Sequence, residues 1–122
     1  MSRLLSVALT EQAVVERRKT VTRRLGWRFV RPGDHLTLVR KSMGRRRKDG
    51  TVEPLVRLAE VRVVEVRRER LNAITAEDVE AEGFPFSTPE LFVEFFCRSM
   101  KTVPRVPVTV IRWEYLSDGG DA

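Results

Sequence analysis

Residues 17–24, Arg17-Arg18-Lys19-Thr20-Val21-Thr22-Arg23-Arg24, hold the densest chemistry in this 122-residue sequence. Lys19 has four arginines within five positions. Like charges, together with any burial, push a lysine toward its neutral form, in which it serves as a general base. A lysine base beside a hydroxyl is one way to activate a weak nucleophile, and Thr22 stands three residues on. On a regular strand the two side chains face opposite ways; across a helical turn they share a side. The pair therefore requires a helix to hand over to a turn here. Two plainer readings of the octapeptide stay open. One is a solvated helix end running into a strand. In the other, Lys19, Arg23 and Arg24 grip phosphate and no bond is broken.

Other chemistries lack their residues. His35 is the only histidine and Cys97 the only cysteine, so Cys/His metal sites and an intrachain disulfide are excluded. Cys97 reads as a small apolar filler on a helix. There is no phosphate-cradling glycine loop and no paired acidic motif for magnesium, and neither a cofactor nor a metal is expected. The charge of +6 comes from 23 basic and 17 acidic side chains, and 19 of the basic ones are arginine. Arginine forks phosphate and stacks on bases, which points to RNA or a nucleoside as partner, although G+C-rich coding enriches arginine as well. The run Arg45, Arg46, Arg47 and Lys48 reads as an exposed loop that extends a basic track. No stretch approaches the roughly 20 apolar residues of a membrane span, and the first apolar run is too short for a signal peptide. A cytoplasmic, membrane-free monomer is expected.

These residues need a frame. Arg3 to Leu9 predicts a strand, and Thr10 predicts the N-cap of a helix from Glu11 to about Arg18. Arg31-Pro32-Gly33-Asp34 is a turn before a strand from His35 to Arg40. Ala59, Val61 and Val63 alternate with polar residues, and so do Val64 and Val66, but on the other parity. One extra residue between Val63 and Val64, a bulge, keeps both sets facing a core. The same switch is expected in the strand Pro107 to Leu116, between Val108/Val110 and Ile111/Trp113/Tyr115. Two curved, bulged strands fit a small barrel. Between them Thr75 opens one helix that Gly83 stops, and Thr88-Pro89 opens another. The stripe Leu91, Phe92, Phe95, Phe96 and Met100 on the latter reads as core.

In this order of elements, with the signature Lys19-Thr20-Val21-Thr22-Arg23-Arg24, the Pro32-Gly33-Asp34 turn and the segment Leu71-Asn72-Ala73-Ile74-Thr75, the sequence resembles the ASCH domain family. ASCH domains are small barrels related to the RNA-binding PUA domains. The resemblance implies an α+β fold, a small, bulged, mostly antiparallel β-barrel with short helices covering its openings. It spans residues 1–116 as a single domain, with 117–122 as a polar tail. Some small bacterial ASCH proteins are amidohydrolases that deacetylate N4-acetylcytidine with a Thr nucleophile, a Lys base and a Glu proton donor. By position those roles fall on Thr22, Lys19 and Glu82, with Glu77 and Glu80 as neighbours on the same short helix. Other members are thought to bind RNA, or cut it, without deacylating anything. That leaves open a binding module in which Arg23, Arg24 and Arg45 to Lys48 contact the substrate or RNA. Two features depart from the family pattern: Arg17 stands where a glycine usually precedes the signature, and the basic run enlarges a hairpin that the compact enzymes keep short.

Overall fold

The computed structural model describes residues 3–40, 48–51, 54–84 and 87–117. Five strands, β1 (Arg3–Ser6), β2 (Val21–Arg24), β3 (His35–Val39), β4 (Arg57–Arg70) and β5 (Pro107–Tyr115), form one sheet in the order β1-β3-β4-β5-β2. β1 and β3 run parallel, and all other neighbours are antiparallel. The sheet curls into a half-barrel, and Arg24 Nη2 on one edge strand donates to the Ser6 carbonyl on the other at 2.5 Å. Three helices, α1 (Glu11–Val15), α2 (Ala76–Ala81) and α3 (Pro89–Met100), complete the small α+β architecture. Among the described residues, no helix is long and apolar enough to cross a membrane.

The parity change in β4 is a bulge. Val63 pairs with Trp113 and Glu65 with Arg112, so Val64 is the extra residue. Its side chain does not turn inward as expected: Val63 is 1% exposed and Val64 42%. The next inward residue is Val66, which packs on the barrel core with Val61 and Val63. The bulge shifts parity by leaving Val64 outside, and the sheet stays curled around it.

β5 needs no bulge of its own for its two parities. Ile111 and Trp113 enter the barrel core with Leu5, Leu36, Leu38, Val61 and Val63. Val108 and Val110 join a second core with Val21, Leu71, Val79, Phe92 and Phe96, beneath α2 and α3. A strand covered on both faces is apolar on both, and this double burial mimics a face switch.

Helix starts follow the expected caps at α2 and α3: Thr75 Oγ1 accepts from the Asp78 N–H and Thr88 Oγ1 from the Leu91 N–H, each at 3.2 Å. At α1 the expectation fails. β1 ends at Ser6, Ala8–Thr10 form a 3-10 turn that leads directly into the helix, and the Thr10 side chain makes no capping bond. The α3 stripe divides: Phe92 and Phe96 are buried, whereas Leu91, Phe95 and Met100 are exposed. A cavity opens on that side.

Candidate active site

α1 stops three residues sooner than Arg18, in a Schellman motif. The Arg17 N–H donates to Val14 O at 2.9 Å and the Arg18 N–H to Ala13 O at 2.7 Å, with Arg17 in the left-handed region at φ 60°. That conformation is why a glycine suits this position. The Lys19 N–H then donates to Ala13 O at 3.1 Å. Its carbonyl accepts from Trp113 Nε1 at 3.1 Å and from the Tyr115 hydroxyl at 2.5 Å. The peptide is held on both sides, and Lys19 stays outside β2 while Thr22 lies within it. This handover lets both side chains line one cavity of about 250 Å³.

Glu82 reaches the same cavity from the end of α2. That helix also closes in a Schellman motif, with the Gly83 N–H on Glu80 O and the Phe84 N–H on Val79 O. Gly83 has φ 104°, and a Cβ there would stand 2.9 Å from Ala13 Cβ. Only a glycine lets α2 end this close to α1. The Thr20 N–H donates to Ala81 O at 2.8 Å, fixing the helix end to the entry of β2.

At the centre Lys19 Nζ donates to the Glu82 carbonyl at 2.7 Å and to Glu82 Oε1 at 2.9 Å. The two residues are 2% and 3% exposed. Burial pushes the Lys19 ammonium below its ordinary value; the Glu82 carboxylate pulls it back up, and Arg24 and Arg23 push it down further. Desolvation thus outranks the arginine crowding as the cause. Thr22 Oγ1 accepts from Arg24 Nε at 3.2 Å, and no hydrogen bond joins it to Lys19 among the described residues. Apolar walls from Val7, Phe84, Phe92, Phe95 and Met100 surround the polar floor.

Lys19, Thr22, Arg24 and Glu82 are therefore gathered at one place, while Glu77 and Glu80 face solvent. Arg23 also lines the cavity, but not as part of an exposed phosphate grip. Its side chain is 0% exposed and bonds Asp78 at 2.6 Å and Glu69 at 2.9 Å, because its parity on β2 turns it beneath α2. Its Nη1 lies 3.7 Å from Glu82 Oε2. Arg45, Arg46 and Arg47 fall outside the described residues, and Lys48 is exposed. Among the described residues, no group of three or more His, Cys, Asp or Glu side chains is arranged to hold a metal.

No protein-family model matches the sequence, and no curated protein matches it. Solved structures do. A crystal structure of an ASCH domain from Lactobacillus crispatus superposes with a TM-score of 0.61 at 10% identity, over 93% of this chain and 79% of that one. The chain has an ASCH-like fold. A protein from Enterococcus faecalis under the family model DUF984 shares it, with a TM-score of 0.64 at 16% identity over 95% of this chain and 77% of its own. At these identities the likeness establishes the architecture alone.

Proposed function

We propose that the cavity is the active site of an amidohydrolase that removes the acyl group from an N4-acylated cytidine-type nucleoside. One observation carries this reading: a buried lysine, depressed by desolvation and bonded to a buried carboxyl, shares a small, apolar-walled cavity with a threonine hydroxyl. The cavity's volume of about 250 Å³ is just below the usual range of about 300–1,000 Å³ for ligand sites.

The Lys19–Glu82 bonds support a proton path. A neutral Lys19 amine places its two N–H groups on Glu82 O and Oε1, the partners found at 2.7 and 2.9 Å, and keeps its lone pair for another proton. Thr22 Oγ attacks the acyl carbonyl, and its proton passes to Lys19 Nζ. Lys19 hands a proton to Glu82 Oε1, and Glu82 gives it to the departing cytidine nitrogen as the C–N bond breaks. Water then attacks the acyl-Thr22 ester; its proton goes to Lys19 and on to Thr22 Oγ, releasing the carboxylic acid. Nζ has to approach Thr22 when substrate enters, as catalytic bonds commonly tighten in the substrate complex. Arg24 Nε, already on Thr22 Oγ1, holds that hydroxyl in place.

Chromatography of N4-acetylcytidine incubated with the purified chain tests this directly. Cytidine and acetate should appear in equal amounts, and Lys19→Met should reduce their rate by about 10²–10⁴-fold. Binding of acylated and plain RNA or nucleosides with no hydrolysis would replace the enzyme by a binding module.

A further inference from the structure

We propose that a second surface, outside the cavity, binds single-stranded nucleic acid by stacking a base on Phe29. The surface begins with a strained turn. Gly26 and Trp27 after β2 both have positive φ, 75° and 51°. Glycine and asparagine adopt this pairing readily in mirror-image turns, whereas a bulky aromatic residue there is an outlier. Strain held at a surface aromatic residue is a pointer to function.

What the strain achieves is a rigid aromatic step. Trp27 packs on the barrel core from one side, and its ring lies 5.0 Å from that of Phe29, tilted by 34°. Phe29 is 47% exposed. The Arg3 guanidinium lies over the Phe29 ring, 4.2 Å from its centroid. The turn is anchored beneath: Thr109 Oγ1 donates to the Gly26 carbonyl and itself accepts from Arg68 Nη1. Arg28 and Arg31, before and after Phe29 in the sequence, are exposed, and residues 25–31 contain no acid in a chain of charge +6. None of Arg3, Trp27 or Phe29 lines the cavity.

A rigid, half-exposed ring under a guanidinium, flanked by arginines, matches the chemistry that holds unpaired bases: a π face for the base and cations for its phosphates. An apolar protein partner would leave the arginines unused. In the bound state a base takes Arg3's place on Phe29, and the displaced guanidinium meets the adjoining phosphate.

The test titrates a fluorescein-labelled single-stranded RNA into the full chain, with heparin as a polyanion that has no bases. Phe29→Ala leaves charge and core unchanged and should weaken RNA binding about 5- to 150-fold, the range for one lost stacked base, while heparin affinity stays the same. Trp27 emission should be quenched by RNA and not by heparin, and the quenching should vanish in Trp27→Phe. Equal loss of RNA and heparin binding, or no loss of either, overturns the proposal. So does a chain that self-associates through this patch and releases RNA as it does so. Phe29→Ala should leave N4-acetylcytidine turnover at the parent's rate, because Phe29 does not line the cavity, which separates this surface from the cavity reading.

Discussion

Replacing Gly83 by alanine places two separate penalties on the joint that delivers Glu82. Gly83 has φ 104°, and holding an L-residue in left-handed backbone costs about 1–2 kcal/mol. The added methyl would also meet Ala13 Cβ at 2.9 Å and Thr10 Cγ2 at 3.2 Å, and overpacking of this kind costs about 1–3 kcal/mol. The sum, about 2–5 kcal/mol, is large against a usual total stability of about 5–15 kcal/mol. With an unfolding entropy of about 2.1 cal/mol/K per residue, each kcal/mol moves the midpoint of a chain this size by about 4 °C. Thermal melts followed by circular dichroism should therefore drop by about 8–20 °C. Ala13→Gly in the same chain removes the clashing partner and should recover part of the loss, less about 1 kcal/mol for glycine in a helix. Arg17→Gly is the matched control at the other Schellman end: it relieves left-handed strain but gives up the guanidinium that lies 5.5 Å from the Tyr115 ring centroid, so its midpoint should rise by no more than about 4 °C. A Gly83→Ala midpoint within about 2 °C of the parent would refute the close approach of α2 to α1, and with it the pinned position of Glu82.

Lys19 must be neutral to act as a base, so the rising limb of kcat/KM should lie below the ordinary lysine range near 10.5, the direction in which burial moves it. The same shift makes stability rise with pH between Lys19's folded value and 10.5, because over that window the unfolded chain holds the extra proton. Arg23→Met should destabilise by about 1–3 kcal/mol, since it removes a buried guanidinium from Glu69 and Asp78 while Arg67 still bonds both. Burial raises the Glu69 carboxyl, but its bonds from Arg23 and Arg67 outweigh this and lower it; it therefore contributes stability above about pH 4.5 that is lost as pH falls through the folded value. Acid titration of Arg23→Met should show that part of the loss weakened. Replacing Arg45, Arg46, Arg47 and Lys48 by Ser should flatten the salt dependence of RNA binding by up to about four phosphate contacts. Nucleoside hydrolysis should stay unchanged, and a loss of it would bring these residues into the cavity's chemistry.

Local signals carried most of the architecture. Thr75, Thr88 and Gly83 mark helix ends through bonds to their own neighbours, and the bulge is visible in β4 because parity is a property of adjacent residues. Long-range burial was not visible. The two parities of β5 look the same whether a strand switches faces or is covered on both, and only the packing of α2 and α3 over Val108 and Val110 decides. Arg23 carried no mark of its fate, since Glu69 and Asp78 lie 46 and 55 residues away. Trp113 and Tyr115 read as core residues, and nothing local showed that their polar atoms hold the Lys19 carbonyl. Arg17 hid its left-handed turn, because an arginine does not advertise positive φ as a glycine does.

The most direct test of the catalytic account is kcat/KM for N4-acetylcytidine in Thr22→Val beside the parent chain, with both confirmed folded by their melts. The nucleophile is lost at nearly constant shape, so the parent should turn over and Thr22→Val should fall by at least about 10²-fold. It should fall no further when Lys19→Met is added, since the two act as a unit. A parent chain that leaves the acetyl group in place, or a Thr22→Val chain that removes it at the parent's rate, would contradict the account.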